Sequence, residues 1–478
     1  MSKMWSGRFR DPLDPAFEAW QRSFPFDWRL LGAEVRASIA HARTIEAAGI
    51  LTPEEADQMC AGLHLVVRLE VNEQELGNPN SSFANSAAQA EDVHHFVELE
   101  LSRIIGDLAL KLHIGRSRNE QIATNMRLYI SDSIDLISDG MRNWCRALIV
   151  LAEQAGAAAM PSYTHLQRAE PVLVAHWLLA YVSMVERDLA RLHDAQARLS
   201  FSPLGSGAVA GATLALDRHI ASTLLSFKGP TLNSIDATSD RDFALEFTQA
   251  LSVFGIHLSR FAEELTLFSS AEFGFLDLAE AFSTGSSAMP QKKNPDFTEL
   301  LRGKSARLIG AATTLAVLLK GLPLAYNKDL QETQEPVFEA VDTVTKILDL
   351  LPNFTAALRF RYDRMTAAAT TGYLNAMAAA TYLSKKGVPF RKAHEQVGHA
   401  VRFALEAHRE LDQLTLEELQ PFSDKFSEDF YAAISLEATL DCHDVIGGTA
   451  RHRVADALAS AKIRLSSNEN SNEGRENT

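Results

Sequence analysis

The stretch Ala123–Glu153, ATNMRLYISDSIDLISDGMRNWCRALIVLAE, carries apolar residues at steps of three and four along its length. These residues are Met126, Ile130, Ile134, Ile137, Met141, Trp144, Leu148 and Leu151. This spacing puts them on one face of an α-helix, and the pattern persists for about eight turns. A helix of that length exceeds the usual globular helix and is typical of helix bundles.

Four further segments show the same helical period: Glu34–Ala48, Val172–Leu199, Arg241–Ser269 and Phe297–Lys320. None shows sustained alternation of apolar and polar residues, and the chain has no rhythm of alternating strands and helices. The sequence therefore predicts an all-α fold. Helices this long and this apolar need partners that cover them, so we expect an oligomer.

The length of 478 residues predicts about three domains. We expect a smaller N-terminal helical domain at 1–113, a central long-helix bundle domain at 114–361 and a small C-terminal helical domain at 362–465. The segment 466–478, SSNENSNEGRENT, has a polar composition that favours disorder.

The bulk composition excludes several classes of function. The formal net charge is −15, and no basic block offsets it, which argues against nucleic-acid binding. The apolar run Val172–Val185 is shorter than the roughly 18 residues that span a bilayer, and the N-terminus lacks the apolar core of a signal peptide. Cys60, Cys145 and Cys442 form no disulfide framework, so we expect a reducing, cytoplasmic location.

The segment Ser283–Asp296, STGSSAMPQKKNPD, contains glycine and two prolines and is predicted to be a loop that precedes a long helix. Its reactive side chains are Ser286, Ser287, Lys292, Lys293 and Asn294. Backbone N–H groups and lysine charge at a helix start make a favourable site for an anion. From composition alone, a solvated Gly/Ser linker is an equally good interpretation.

Two shorter segments carry further candidate residues. In 112–121, LHIGRSRNEQ, Gly115, Ser117 and Asn119 favour a turn. Arg116 and Arg118 there could grip a carboxylate, or simply form an exposed basic turn. In 161–167, PSYTHLQ, Thr164 precedes His165, which could act as an acid or base but by itself is more often structural. The adjacent residues His94 and His95 point to different helix faces, so we expect no metal site there.

These motifs resemble a known family. The loop closely matches the G-S-S-x-M-P-x-K-x-N-P signature of the fumarase/aspartase superfamily, and its QKKNPD version resembles the argininosuccinate lyases. The segments LHIGRSRNEQ and YTHLQ are also similar to motifs of that family. The resemblance extends from Trp5–Phe9, WSGRF, to about residue 450. The chain departs from the family pattern at Ile114, Glu120, Asn125, Ser162 and Gln334.

The resemblance implies a three-domain fumarase/aspartase-like fold with a long central helix bundle. It further implies a homotetramer with a core of twenty helices, in which three subunits build each active site. We expect a small-molecule substrate, no metal, no other cofactor, and neither nucleic acid nor membrane as a partner.

The resemblance also assigns roles to individual residues. Ser286 would be the base, Lys292 and the loop amides would stabilise its alkoxide, and His165 would be the general acid. Glu299 occupies the position of the glutamate that partners this histidine in the family. The residues implied in substrate binding are Ser23, His94, Arg118, Asn119, Thr164, Arg241, Ser287, Asn294, Tyr326 and Gln331. Sequence alone leaves the choice between Ser286 and Ser287 as the base open.

The implied activity is the cleavage of argininosuccinate into arginine and fumarate. A related carbon–nitrogen lyase with another amine leaving group is the alternative, because Gln334 replaces a lysine and Asn125 an aspartate of the family pattern. A third interpretation is a structural protein on the same fold, like the lens crystallins related to this family. The presence of Ser286, His165 and Lys292 argues against it.

Overall fold

The computed structural model describes residues 11–69 and 71–476, with side chains through residue 465. The motif Trp5–Phe9 lies outside these residues. Helices dominate the described chain, so the all-α prediction is confirmed. No helix in these ranges is long and apolar enough to cross a membrane.

The helices and strands follow one another along the chain in a fixed order. The α-helices are α1 Pro15–Gln21, α2 Phe24–Asp27, α3 Leu31–Ala47, α4 Pro53–Val67, α5 Glu73–Leu76, α6 Ala84–Gln89, α7 Val93–Ile105, α8 Arg118–Ala155, α9 Val174–Leu199, α10 Arg218–Leu224, α11 Ser234–Ser239, α12 Asp242–Ser269, α13 Asp296–Leu319, α14 Gln334–Ala356, α15 Tyr362–Ala369, α16 Ala376–Lys385, α17 Phe390–Glu406, α18 Leu416–Leu419, α19 Asp429–Ala433, α20 Leu436–Asp441 and α21 Arg451–Glu476. The strands are β1 Ala159–Thr164, β2 Gln167–Leu173, β3 Leu276–Asp277, β4 Thr284–Gly285, β5 Lys293–Asn294 and β6 Arg359–Phe360. They form three antiparallel pairs, β1–β2, β3–β6 and β4–β5.

The chain divides into two compact units. The first comprises Met1–Leu136, Arg191–Ser252 and Arg307–Thr343, and the second comprises Ile137–Ala190, Val253–Ala306 and Val344–Thr478. The division into three domains at residues 113 and 361 stays a prediction. The backbone of α21 is helical to Glu476 and so includes most of the segment in which the composition favours disorder.

The apolar face of α8 is buried along its length, as its spacing predicts. Within the first unit, Leu128 of this helix packs in a cluster with Ala33, Ala37 and Ala40 of α3. The three alanines recur at steps of three and four, and their small side chains give α3 a smooth surface for packing.

In the second unit, Trp144 is fully buried and lies at the centre of an aromatic cluster. Its ring packs edge-on against Phe254 and Phe261, with centroid distances of 6.1 and 5.3 Å. Its indole N–H donates to Thr355 Oγ1 at 3.1 Å, which satisfies the one polar atom of the side chain.

Two local features concern the start of α8 and the β1–β2 hairpin. The turn predicted from Gly115, Ser117 and Asn119 is present at residues 112–115, where Gly115 has φ +69°, and α8 begins shortly after it, at Arg118. Ser117 N donates to Glu120 Oε1 at 3.2 Å and Asn119 N to Ser117 Oγ at 3.3 Å, so side chains satisfy the first N–H groups of the helix. The β1–β2 hairpin was not expected, because Pro161 and the lack of apolar–polar alternation obscure it.

Candidate active site

A cavity of about 660 Å³ lies in the first unit, and five of the predicted binding residues line it: Ser23, Arg118, Asn119, Tyr326 and Gln331. Segments from distant parts of the sequence form its wall. They are 115–119 at the start of α8, 207–213 before α10, and residues 326–334 around the start of α14. Gln334, at the family's lysine position, also lines the cavity and is almost fully buried.

Arg118 is held at the cavity by carboxylates of α7. Its Nε lies 3.2 Å from Asp92 Oδ2, and its guanidinium approaches Glu98 to 3.9 Å. Asp92 also caps α7, since it accepts a hydrogen bond from His95 N at 2.8 Å. Burial opposes ionisation of Asp92, but the nearby cations, Arg118 first, outweigh burial and lower its pKa below the usual value. The cavity therefore contains a fixed guanidinium suited to an anionic ligand.

The glycine-rich wall of the cavity is attached to the first turn of α8. Gly207 N donates to Glu120 Oε2 at 2.6 Å, and Asn119 Nδ2 donates to Ala208 O at 3.2 Å. Gly207 has φ +61°, and a Cβ there would lie 2.6 Å from Gly211 O, so only glycine fits. Burial raises the pKa of Glu120 to about 6. Glu120, a departure from the family pattern, thus positions a cavity wall.

Ser23 approaches the cavity from the start of α2. Its Oγ donates to Asp27 Oδ2 at 2.7 Å, and Val93 N donates to Asp27 Oδ1 at 3.0 Å. Burial first, and then the charge of Asp92, raise the pKa of Asp27 to about 7. Asp27 therefore keeps its proton up to near-neutral pH, beside the ionised Asp92.

The other two predicted residues of this unit are buried next to the cavity-lining segments. His94, on α7, bonds through Nδ1 to Glu34 Oε2 at 2.7 Å. Arg241 donates to Asp240 O at 2.7 Å and lines a separate cavity of about 170 Å³. Burial raises the pKa of Tyr326 to about 12, although the positive charge of Arg241 acts to lower it.

Sequence reasoning missed the four carboxylates of this region, Asp27, Glu34, Asp92 and Glu120, as functional residues. For Glu34, the sequence did contain a pattern that could have indicated a role. It lies on α3 between buried alanines, and Ser38 and His41 follow at steps of four and three, all of them buried. Three polar residues on a buried helix face indicate a polar network in the interior.

In the second unit, Thr164 and His165 lie at the tip of the β1–β2 hairpin. His165 and Leu166 form the two-residue turn with φ values of +56° and +57°. Two left-handed positions are typical of a type I′ turn, which usually contains Asn and Gly. Thr164, His165 and Leu166 are all exposed. The imidazole is thus presented to solvent on a turn that costs about 1–2 kcal/mol per left-handed residue.

The predicted loop also belongs to the second unit, and an aromatic cluster anchors its two ends. Phe282 and Phe297 flank the loop, with ring centroids 5.3 Å apart, and both pack on the buried Phe354. Inside these anchors, Thr284 N and Oγ1 donate to Asp296 Oδ2 at 2.8 and 2.7 Å. The base of the loop is therefore fixed, while its tip is exposed.

Ser286 is the partly buried serine of this tip, and its Oγ accepts hydrogen bonds from Ala288 N at 3.2 Å and Met289 N at 3.1 Å. The hydroxyl of Ser287 is exposed and makes no hydrogen bond with the described residues. Two N–H donors aimed at one hydroxyl oxygen stabilise negative charge on it. The two serines therefore differ in their hydrogen bonding among the described residues, and their assignment as the base stays a prediction.

The remaining predicted residues of this unit are near the loop or at its end. Asn294 Nδ2 donates to Thr284 Oγ1 at 3.4 Å, and Lys292 is exposed at the tip. Glu299 lies in the first turn of α13, 3.9 Å from Arg302. In the part of the second unit that the structure describes, Glu299 and His165 make no hydrogen bond with each other, so their predicted pairing is not formed within one chain.

Nothing in the described ranges 11–69 and 71–465 groups three or more His, Cys, Asp or Glu side chains as a metal site would. The adjacent His94 and His95 have separate partners, Glu34 Oε2 for His94 and the backbone N–H of Glu91 for His95.

Nearly the whole chain can be aligned with known proteins. Residues 7–310 match the lyase family, and residues 373–441 match the argininosuccinate lyase C-terminal family. The argininosuccinate lyase of Acidobacterium capsulatum is 60% identical over 462 residues, which cover 97% of this chain and 94% of the relative. That of Koribacter versatilis is 54% identical and covers 97% of each chain.

Solved structures show the same fold at lower identity. An EDDS lyase in complex with formate superposes with a TM-score of 0.79 at 24% identity and covers 96% of this chain and 92% of that one. A 3-carboxy-cis,cis-muconate lactonizing enzyme from Pseudomonas putida has a TM-score of 0.72 at 20% identity, covering 95% of this chain and 100% of the other.

Proposed function

The chain belongs to the argininosuccinate lyase family, and from this membership we propose that it is a carbon–nitrogen lyase that cleaves argininosuccinate into arginine and fumarate. The observation that carries the proposal is the 60% identity to a relative named argininosuccinate lyase across 97% of the chain. The loop that contains Ser286, Lys292 and Asn294 adds the chemistry that such a cleavage needs.

The reaction is an elimination, and its first step removes a proton from carbon. The alkoxide of Ser286 takes the proton from the carbon next to a succinyl carboxylate, which acquires the negative charge. The N–H groups of Ala288 and Met289 support Ser286 in this role, because they stabilise the alkoxide before the step. Lys292 and Asn294 would stabilise the charge on the carboxylate.

The second step breaks the carbon–nitrogen bond. The electron pair on carbon forms the double bond of fumarate, and the guanidino nitrogen of arginine leaves with a proton from His165, directly or through water. Proton transfer from Ser286 back to His165 resets the site, so the overall reaction consumes no water and needs no cofactor. Glu299 would orient His165 when another subunit completes the site.

Substrate recognition is assigned to the cavity of the first unit. Arg118 and Asn119 would bind carboxylate oxygens, and Ser23, Tyr326 and Gln331 would complete the contacts. The support is that all five line one cavity of about 660 Å³, a size in the usual range for small-molecule sites. His94, Thr164, Arg241 and Ser287 complete the predicted binding set.

We further propose a cytoplasmic homotetramer in which three subunits contribute to each site. Exposed apolar side chains on the long helices support association: Leu136 is 56% exposed, Leu300 58% and Val317 60%. Light scattering of the purified protein should give four chain masses. Mixing an inactive Ser286→Ala chain with an inactive Arg118→Ala chain should restore partial activity if the sites are shared between subunits.

The function is tested by following fumarate formation through its ultraviolet absorbance, with argininosuccinate, adenylosuccinate and aspartate as separate substrates. Fumarate from argininosuccinate alone is expected. Release only from another N-succinyl amine would favour the alternative lyase, for which the neutral, buried Gln334 in the cavity wall is the supporting observation. No fumarate from any of them, with the tetramer folded, would favour a structural protein.

A further inference from the structure

The carboxylate of Glu34 accepts four side-chain hydrogen bonds in the interior of the first unit. Oε2 accepts from His94 Nδ1 and from Asn125 Nδ2, each at 2.7 Å. Oε1 accepts from Ser38 Oγ at 2.8 Å and from Gln121 Nε2 at 3.0 Å. Only 1% of Glu34 is exposed. Four donors around one buried carboxylate favour its ionised form, and the pKa of Glu34 is well below its usual range despite burial.

His94 is buried to the same extent and faces charged groups from every side. Glu34 approaches from α3, Asp27 from α2, Asp92 from its own helix and Arg118 from α8. Burial lowers the pKa of the imidazole, but the attraction of Glu34 and Asp92 outweighs burial and the repulsion of Arg118, so the pKa is raised. Glu34 thus favours the imidazolium form, in which Nδ1–H donates to Glu34 and Nε2–H lies on the opposite edge of the ring.

The Nε2 atom of His94 has no hydrogen-bond partner among the described residues, although the side chain is buried. Buried polar groups of proteins are almost always paired, and an unpaired charged donor is costly. The network also borders the cavity, because Asp92 lines it two residues before His94. Arg116, which donates to Ser38 at 2.9 Å, lines it as well.

We propose that Glu34 is a positioning residue for the reaction: acting through His94, it holds an imidazolium N–H for a carboxylate of the substrate. This inference rests on the proposed function, since a succinyl substrate brings the carboxylates. Glu34 itself touches no substrate, because both of its oxygens are occupied by internal donors. Its contribution is to set the charge and the orientation of the ring.

The first test is a double-mutant cycle on the full-length protein. Asparagine at position 94 keeps an amide donor near Glu34 but removes the Nε2–H, so His94→Asn deletes the proposed substrate contact. Glu34→Gln and His94→Asn are each expected to lower kcat/KM on the order of 10- to 100-fold, the effect of one charge-assisted hydrogen bond. The double variant should be no worse than His94→Asn alone. If the double variant instead lowers kcat/KM by the product of the two single effects, the proposal is overturned.

The second readout is the pH profile of kcat/KM, which a purely structural role would leave unchanged. Glu34 raises the pKa of His94, so without its charge the imidazolium is lost at lower pH. The alkaline limb of the Glu34→Gln profile should therefore move to lower pH. Glu100→Gln is the matched control, since Glu100 is also 1% exposed but bonds to Ser86, outside this network. A Glu34→Gln profile that superposes on those of the wild type and the control would contradict the proposal.

Two further measurements keep the result interpretable. If Glu34→Gln does not fold, Glu34→Asp keeps the charge on a shorter side chain. It should then lower kcat/KM while leaving the alkaline limb near its wild-type position, and a shifted limb would count against the proposal. Fumarate binding, measured by calorimetry, distinguishes a failure of the proposed function from a failure of the proposed role of Glu34. A wild type that binds fumarate but does not cleave argininosuccinate refutes the proposed function alone. Equal fumarate affinity in the wild type and Glu34→Gln refutes the role of Glu34 alone.

Discussion

Gly207→Ala should disturb the cavity of the first unit, where we propose that substrate binds, more than the addition of one methyl group implies. Gly207 has φ +61°, and an added Cβ would lie 2.6 Å from Gly211 O, which is backbone and cannot rotate away. The segment must therefore move. That movement breaks the bond from Gly207 N to Glu120 Oε2, now 2.6 Å long, and displaces the cavity wall.

The magnitude follows from these two losses. A left-handed conformation costs a non-glycine residue about 1–2 kcal/mol. Loss of a buried hydrogen bond to a charged carboxylate costs about 1.5–3 kcal/mol. We therefore expect Gly207→Ala to lower the free energy of unfolding by about 2.5–5 kcal/mol in urea titrations. Since a wall displaced by about 1 Å misplaces the substrate, kcat/KM should fall on the order of 100-fold.

Gly211→Ala is the matched control, because it lies in the same segment and also has a positive φ, +94°. An added Cβ there meets nothing within 4 Å. It should cost only the conformational strain, about 1–2 kcal/mol, with little change in kcat/KM. Equal losses in the two variants would refute the steric argument. A Gly207→Ala enzyme with wild-type kcat/KM would show that this segment does not shape the working site.

Three other substitutions test the remaining assignments. Ser286→Ala should abolish measurable fumarate release without changing the circular dichroism spectrum, whereas Ser283→Ala in the same loop should stay active; near-normal turnover of Ser286→Ala would exclude it as the base. His165→Asn should lower kcat on the order of 100-fold with little change in Tm, because asparagine tolerates left-handed φ; an unchanged rate would exclude His165 as the acid. Burial and Asp92 raise the pKa of Asp27 to about 7, so its contribution to stability is present at low pH and is lost as pH rises through about 7. In urea unfolding from about pH 5 to pH 9, the free energy of unfolding should fall less with pH in Asp27→Asn than in the wild type. The same pH dependence in both proteins would contradict the shifted pKa of Asp27.

The long helices could be predicted from the sequence because their apolar spacing is local and repeats over many turns. The segments predicted at Val172–Leu199 and Phe297–Lys320 are observed as Val174–Leu199 and Asp296–Leu319. Loop character at Ser283–Asp296 was equally readable, since glycine and proline act on the backbone directly. What these patterns lack is information on which segments meet.

The interior network around Glu34 shows that limit. Its members come from α3, α7 and α8. The local sequence around each one is that of an ordinary helix residue. Only the packing of the three helices makes one carboxylate the common acceptor. The hairpin was missed for a different reason: its turn pair His165–Leu166 is not the Asn-Gly that normally signals a two-residue turn.

That same turn bears on engineering the protein for use at high temperature. A design for thermal stability would first replace His165–Leu166 by Asn-Gly, because asparagine and glycine adopt left-handed conformations at lower energy. The replacement would remove the imidazole on which the proposed protonation of the leaving nitrogen depends. Leu166 is 70% exposed and has no assigned role, so the thermal gain is available at that position alone, and a heat-resistant enzyme should keep its histidine.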